Sequence, residues 1–414
     1  MKKCLQGCVV TLIAFGLVAT VACESTPNPS PSPSPTPTPG PTQFETVRVA
    51  LDTYFSSSPP GTIAASDVFD LLNDGDDSND PYILSVRAPE HYAIGHIPGA
   101  VNIPWRSLGQ EGALADLPTD RQIVVYCYTG HTGALSTTFL NALGYDAVNL
   151  KFGIMSWTTD PDVRATVPFS EATDAHDYPL ETTANVPTET YSPPTLNVTT
   201  STDETEIVRA AGDAYLSSTA PPTISAVDVF DLLNDGDDSN DPVIISVRSA
   251  THYALGHVPG AINIPWQEIA KTDNLAMIPT DKPIVVYCYT GHTGGLATMA
   301  LRMLGYEATN MKHGICAWTT DSAVRVVAPF DEATQAHDYP LESETTPGVD
   351  GAALFSTNCS ACHGADGGSG FAPNVQGYTA AEVTTGLGSA THASITLTTE
   401  EIDAIALFLE SAGD

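Results

Sequence analysis

Apolar residues return at helical spacing over residues 46–55 and again over 68–72, then give way to largely apolar runs at 82–86, broken only by Ser85, and at 123–126. The spaced stretches predict helices, and the short β-rich runs predict strands buried on both faces. A further helical stretch over residues 130–143 begins just after the second run. Strands alternating with helices build a parallel sheet covered on both sides, with chemistry at the carboxyl ends of the strands. Cys127 falls at such an end.

The whole pattern occurs twice. Phe69 opens FDLLNDGDDSNDPYILSVRAPEHYAIGHIPGAVNIPW, and Phe230 opens FDLLNDGDDSNDPVIISVRSATHYALGHVPGAINIPW. Cys127 corresponds to Cys288, Trp157 to Trp318 and His176 to His337, each pair 161 residues apart. So long a period means duplicated domains and not a solenoid. The division expected is a targeting segment at 1–22, a tether at 23–43, domains at 44–181 and 205–342 joined by 182–204, a linker at 343–349, and a third domain at 350–414. The acidic turns that open at Asn73 and Asn234 place oxygen atoms at alternate positions, but they lack a full calcium loop and read as solvated turns.

Composition narrows the partners. The 414 residues carry 15 Lys and Arg against 49 Asp and Glu, a formal charge of -34. Nucleic acid and anionic membrane surfaces would repel such a chain. Lys2 and Lys3 precede an apolar run over residues 9–22, which is short for a membrane span. Thr20-Val21-Ala22-Cys23 resembles a bacterial lipobox, which implies lipidation of Cys23 and an extracytoplasmic, membrane-anchored protein. The proline-rich stretch from Pro27 to Pro41 would be a semi-rigid spacer behind the anchor. Of eight cysteines, Cys4 and Cys8 would leave with the signal. Three others have assigned chemistry, so no disulfide framework is expected.

Cys127 sits between a strand end and a helix start, where backbone N–H groups and the positive helix end favour a thiolate. With VRAPEHYAIGHIPGAVNIPW before it, VVYCYTGHTG around it and Gly153-x-x-x-Trp157 after it, the first copy resembles a rhodanese domain. VRSATHYALGHVPGAINIPW, VVYCYTGHTG and Gly314-x-x-x-Trp318 make the second copy similar. The resemblance implies a parallel-sheet α/β fold and sulfurtransferase chemistry through persulfides on Cys127 and Cys288. It implies active-site loops of Tyr128, Thr129, Gly130, His131 and Thr132 in one copy and Tyr289, Thr290, Gly291, His292 and Thr293 in the other. Arg87 and Arg248 would brace the loops or carry charge near them. Neither loop holds the Arg or Lys that would grip phosphate, which disfavours phosphatase chemistry. Cationic help at the pocket mouth is left to His131 or His292, an arrangement expected to prefer polysulfide or protein persulfide over thiosulfate. His96 and His257 read as turn residues, and Cys316 as a packing residue.

After Pro347 no Lys or Arg occurs. Cys359-Ser360-Ala361-Cys362-His363 has the spacing by which two thiols hold a haem covalently while His363 reaches the iron. A short helix at 352–355, GFAPN at 370–374 and LTTEEIDAIALFL at 397–409 resemble a small all-α class I cytochrome c. This part of the chain contains no Met, so His392 is the candidate for the far side of the iron. Two functions remain open at this point. One is an extracytoplasmic sulfurtransferase coupled to one haem c, with a sulfane-sulfur donor, a thiol acceptor and a redox partner protein. The other is an electron carrier whose rhodanese-like domains only bind or sense persulfides.

Overall fold

The computed structural model describes residues 41–344, 351–365, 367, 368, 370, 372–389, 392 and 395–413. The targeting segment, Cys23 and most of the tether lie outside those residues. Among the described residues no helix is long and apolar enough to cross a membrane.

Each copy is built on a parallel sheet. In the first, β1 (Tyr82–Ser85), β2 (Val101–Asn102), β3 (Ile123–Tyr126) and β4 (Ala147–Asn149) are ordered β2-β1-β3-β4. In the second, β5 (Thr223–Ile224), β6 (Val243–Ser246), β7 (Ile262–Asn263), β8 (Ile284–Tyr287) and β9 (Ala308–Met311) are ordered β5-β9-β8-β6-β7. The equivalent of β5 in the first copy shrinks to one parallel bridge, Ile63 to Leu150. The expected helices appear as Gln43–Ser56, Ala65–Asn73 and His131–Ala142.

Because side chains alternate across a strand, each sheet feeds two cores. Leu84 and Val125 face a core shared by both copies, where they join Leu51, Phe139, Ile207, Ile245, Val286 and Leu296. Ile83 and Val124 face the opposite way, into the first copy's own outer core with Val68 and Trp157. In the shared core the helix His131–Ala142 packs on its counterpart His292–Met303, and Thr138 Oγ1 donates to the Leu296 carbonyl at 3.0 Å. Phe139 lies so close to Gly212 that a Cβ there would come within 2.3 Å of the ring.

The outer cores are closed by exchange. Residues 176–181, expected to belong to the first copy, pack on the second, while residues 337–342 pack on the first. Trp157 Nε1 donates to Pro340 O at 2.9 Å, and Trp318 Nε1 donates to Pro179 O at 2.8 Å. Tyr339 stacks on Phe69 and Tyr178 on Phe230, each at a 4.0 Å centroid distance. Arg164 pairs with Glu332, and Arg325 with Glu171. Every contact is matched by its partner 161 residues on, the reciprocity of an isologous two-fold interface, here within one chain.

In the C-terminal region the helix Gly351–Asn358 crosses Thr399–Gly413. The absent side chain of Gly351 permits the crossing: a Cβ there would stand 1.9 Å from the Ala404 carbonyl oxygen. Phe355, Ile405 and Leu409 form the centre of its small core.

Candidate functional site

Cys127 follows β3 directly and is buried, at 1% exposure. The chain then turns through Gly130, whose φ of 85° is left-handed and suits glycine. That turn aims the Gly130 N–H at Cys127 Sγ, 3.1 Å away, and starts the helix beside it. Asn149 at the end of β4 holds the turn by donating from Nδ2 to the Gly130 carbonyl at 3.0 Å. The second copy repeats this: Gly291 N–H lies 3.1 Å from Cys288 Sγ, and Asn310 Nδ2 donates to Gly291 O at 2.8 Å. A backbone N–H pointed at a sulfur supports an anionic sulfur there, on the cysteine or on an atom bound to it.

Tyr128 closes one side of the loop. Its hydroxyl accepts from the Ala88 N–H at 3.1 Å and meets His91 Nδ1 at 2.6 Å. Tyr289 and His252 make the same pair at 2.6 Å. Arg87 and Arg248 brace the fold, each guanidinium 5.9 Å from the ring centre of the loop tyrosine, Tyr128 or Tyr289. Each is fully buried, and Arg87 donates to the carbonyls of Val163, at 2.8 Å, and Gly95. His96 and His257 are likewise buried in turns, each stacked on the tyrosine four residues before it. Cys316 is fully buried and donates to the Val327 carbonyl; burial pushes its thiol up to about 12, which suits packing and not nucleophilic work. All five cysteines among the described residues are free thiols. The acidic turns satisfy their own carboxylates, as where Asp74 accepts from Asp76 N–H and Asn79 Nδ2. Among the described residues no group of three acidic, His or Cys side chains could hold a metal.

The expectation for His131 and His292 needs correction. His131 Nε2 accepts from the His313 N–H at 3.2 Å, and His292 Nε2 accepts from the Phe152 N–H at 3.0 Å, each across the two copies. With Nε2 accepting, the proton of each ring sits on Nδ1 and goes to Thr129 Oγ1 at 2.7 Å or Thr290 Oγ1 at 2.8 Å. Burial pushes His131 well below the ordinary imidazole range, with His313, His292 and Lys312 adding to it. Burial, then Lys151, brings His292 down to about 3. Both rings are neutral with both nitrogens engaged, so neither supplies a cation to the pocket. What they do is orient Thr129 and Thr290, whose hydroxyl hydrogens remain available.

The cavity over Cys127 has about 300 Å³ of space. His91, Tyr128, Thr129 and Thr132 line it from the first copy, and Pro222, Thr223 and Lys312 from the second. Lys312, a cationic side chain in this lining, thus comes from the opposite copy. Lys312 lies 185 positions beyond Cys127 in sequence, so no local motif could reveal it.

In the C-terminal region the short helix Ser360–His363 presents a buried His363 beside a half-buried Cys359 and an exposed Cys362. A cavity lined by Phe355, Cys359, His363, Val383, His392 and Leu409 opens over it. His363 Nδ1 bonds to the Pro373 carbonyl at 2.8 Å, and His392 Nδ1 to the Gly386 carbonyl at 2.9 Å. Among the described residues neither Nε2 has a hydrogen-bond partner, so each could face a metal while the hydrogen bond behind it fixes the ring. Their centroids are 6.1 Å apart with planes 29° from parallel. Two imidazoles bonded to one metal through ~2 Å bonds stand roughly 6 Å apart between centres. Apolar walls, the Cys359 thiol in the lining with the exposed Cys362 three residues on, and two restrained imidazoles fit a haem. Cys359, Cys362 and His363 would hold it, and His392 lines the same cavity.

Comparison with known proteins agrees. The rhodanese-like domain model matches residues 65–160 and 229–321, and the cytochrome c model matches residues 348–392. A sulfurtransferase of Allochromatium vinosum is 32% identical over 82 residues, covering 20% of this chain and 75% of that one. The probable adenylyltransferase/sulfurtransferase MoeZ of Mycobacterium tuberculosis is 34% identical over 110 residues, covering 26% of this chain and 27% of its own. The adenylyltransferase and sulfurtransferase uba4 of Ogataea parapolymorpha is 35% identical over 83 residues, covering 20% and 21%. This chain thus spans about a quarter of the length of the last two. It belongs to the rhodanese-like family, with two copies of that domain followed by a cytochrome c domain.

Proposed function

We propose that the protein is an extracytoplasmic sulfurtransferase whose Cys127 and Cys288 each carry sulfur as a persulfide, joined in one chain to a one-electron carrier. The observation that carries this reading is the Gly130 N–H standing 3.1 Å from Cys127 Sγ, a residue that lines a cavity, with the same N–H contact repeated between Gly291 and Cys288. The thiolate forms a bond to the outer sulfur of a sulfane-sulfur donor. The donor's own S–S bond breaks, and its remainder leaves with the electron pair. The terminal sulfur of the persulfide gains the loop N–H and the Thr129 hydroxyl as donors. A thiol acceptor, as its thiolate, then takes that sulfur, and the cysteine leaves as thiolate.

In the C-terminal domain Cys359 and Cys362 would hold one haem covalently, and His363 and His392 would be the side chains offered to its iron. When bound, the haem would supply one-electron transfer, and a second His in place of Met would lower its potential. The chain's contribution is to fix both imidazoles through backbone carbonyls and to keep the cavity apolar. The lipobox-like residues ending at Cys23 support anchoring to a membrane from outside the cytoplasm, where a redox partner protein would meet the haem.

The test is thiocyanate formation from sulfane-sulfur donors and cyanide. Cys127→Ala with Cys288→Ala should reduce it to background, and undiminished transfer in that double variant would contradict the reading. A pyridine haemochrome spectrum surviving acid–acetone extraction should disappear in Cys359→Ala with Cys362→Ala.

A further inference from the structure

Only six lysines occur in this acidic chain. Two of them, Lys151 and Lys312, hold corresponding positions directly after β4 and β9. Neither belongs to any ion pair among the described residues, and both are half-buried. A half-buried ammonium with no carboxylate partner is a charge held ready for something else.

Their placement is crossed between the copies. Lys312 lines the cavity of Cys127 together with Pro222 and Thr223, all from the second copy. The residue after it, His313, has a φ of 61°, a left-handed backbone that aims its N–H across the interface at His131 Nε2. Phe152, with a φ of 64°, does the same toward His292. Lys151 stands over the Phe152 ring at 5.0 Å, and that ring packs edge-on against His292 of the second loop at 5.0 Å. The segment matching Pro222 also crosses: a Cβ on Gly61 would come within 2.8 Å of the Thr293 methyl. The electrostatics follow the same crossing. Lys312 contributes to the depression of His131, after burial and the two neighbouring histidines. Lys151 contributes to that of His292, after burial.

We propose that Lys312 is the charge-recognition residue of the Cys127 site and Lys151 that of the Cys288 site, so that each sulfur site is completed by the opposite copy. The ligand class is a small anion whose reacting atom meets the cysteine while its negative end faces the ammonium. Taken with the sulfurtransferase reading, on which this part rests, that anion is a sulfane-sulfur donor with an anionic leaving group. The cysteine's new S–S bond replaces the donor's, and the departing anion takes the electron pair beside the lysine.

The experiment uses the full-length chain and does not depend on sulfur transfer. Rates of alkylation by anionic iodoacetate and neutral iodoacetamide are measured by mass spectrometry on the Cys127 and Cys288 peptides. Here the thiolate displaces iodide and forms an S–C bond. Lys312→Met should lower the iodoacetate-to-iodoacetamide ratio at Cys127 by roughly three- to tenfold, and by more than Lys151→Met does. At Cys288 the order should reverse. Lys312→Arg should keep the ratio, and the iodoacetamide rate reports whether the pocket is intact. A larger effect of Lys151 on Cys127 than of Lys312, or equal effects on both cysteines, overturns the proposal. Crossed ratios without any thiocyanate from either polysulfide or thiosulfate and cyanide would leave the composite sites standing and remove the sulfurtransferase reading. Transfer with uncrossed ratios would do the opposite.

Discussion

The backbone N–H of Phe152 ends on Nε2 of His292, 3.0 Å away and in the other copy of the fold. With its mirror image from His313 to His131, it ties each cysteine loop to the opposite domain. The duplication is therefore more than a second dose of the same site. Position, hydroxyl orientation and charge at each cysteine depend on both copies.

The buried imidazoles predict an acid-sensitive interface. Burial brings His292 down to about 3 and His313 to about 4, and holds His131 well below its ordinary value near 6.5. The unfolded chain binds these protons first as pH falls. Their contribution is thus intact above pH ~6.5 and is lost progressively on acidification toward the folded values. His313→Phe, which copies Phe152, should flatten that acid limb in urea unfolding measured between pH 7 and 4. An unchanged slope would contradict this account.

Exchange of residues 176–181 and 337–342 predicts that both rhodanese-like copies unfold as one unit. Trp157→Phe removes the bond to the Pro340 carbonyl and should cost ~1–3 kcal/mol. Far-UV circular dichroism should show one transition for this pair of domains, shifted as a whole. A separate transition for each copy would speak against a shared core.

Gly153 has a φ of 58°, and a Cβ there would stand 2.4 Å from the Cys127 carbonyl oxygen. Gly153→Ala should displace the loop and reduce Cys127 alkylation at least tenfold. The same change at Gly314 should act first on Cys288. Peptide-level alkylation rates check both.

His392 should act through the haem spectrum. His392→Ala should convert a low-spin ferric spectrum to high-spin or water-ligated, while His392→Met should keep low spin and raise the midpoint potential. An unchanged spectrum in His392→Ala would remove it as a ligand.

Much of this was legible locally. The apolar runs placed β1 and β3, the helix spacing placed the start beside Cys127, and Cys359-x-x-Cys362-His363 announced its own chemistry. His392 was nominated because no Met was available to compete. What the sequence concealed lies between the copies. When two segments are nearly identical, their pattern cannot say whether Lys312 serves Cys288 or Cys127, since either pairing satisfies the same periodicity. The arms carried a signal: Ala-His-Asp-Tyr-Pro-Leu-Glu recurs at 175–181 and 336–342, outside the stretches matched by the rhodanese-like model. Aromatic and acidic residues repeated beyond a domain's own sheet mark a surface that covers something. They do not mark which copy is covered. His131 and His292 misled for the same reason, because their burial comes from the opposite domain.

The central claim is that Cys127 and Cys288 carry sulfur, and mass spectrometry of non-reduced peptides tests it most directly. After incubation with a sulfane-sulfur donor, each of the two cysteine peptides should gain the mass of one sulfur atom and lose it again on adding cyanide, while the Cys316 peptide stays unmodified. If neither peptide gains sulfur from polysulfide or thiosulfate, or if the sulfur appears only on Cys316, the account is wrong.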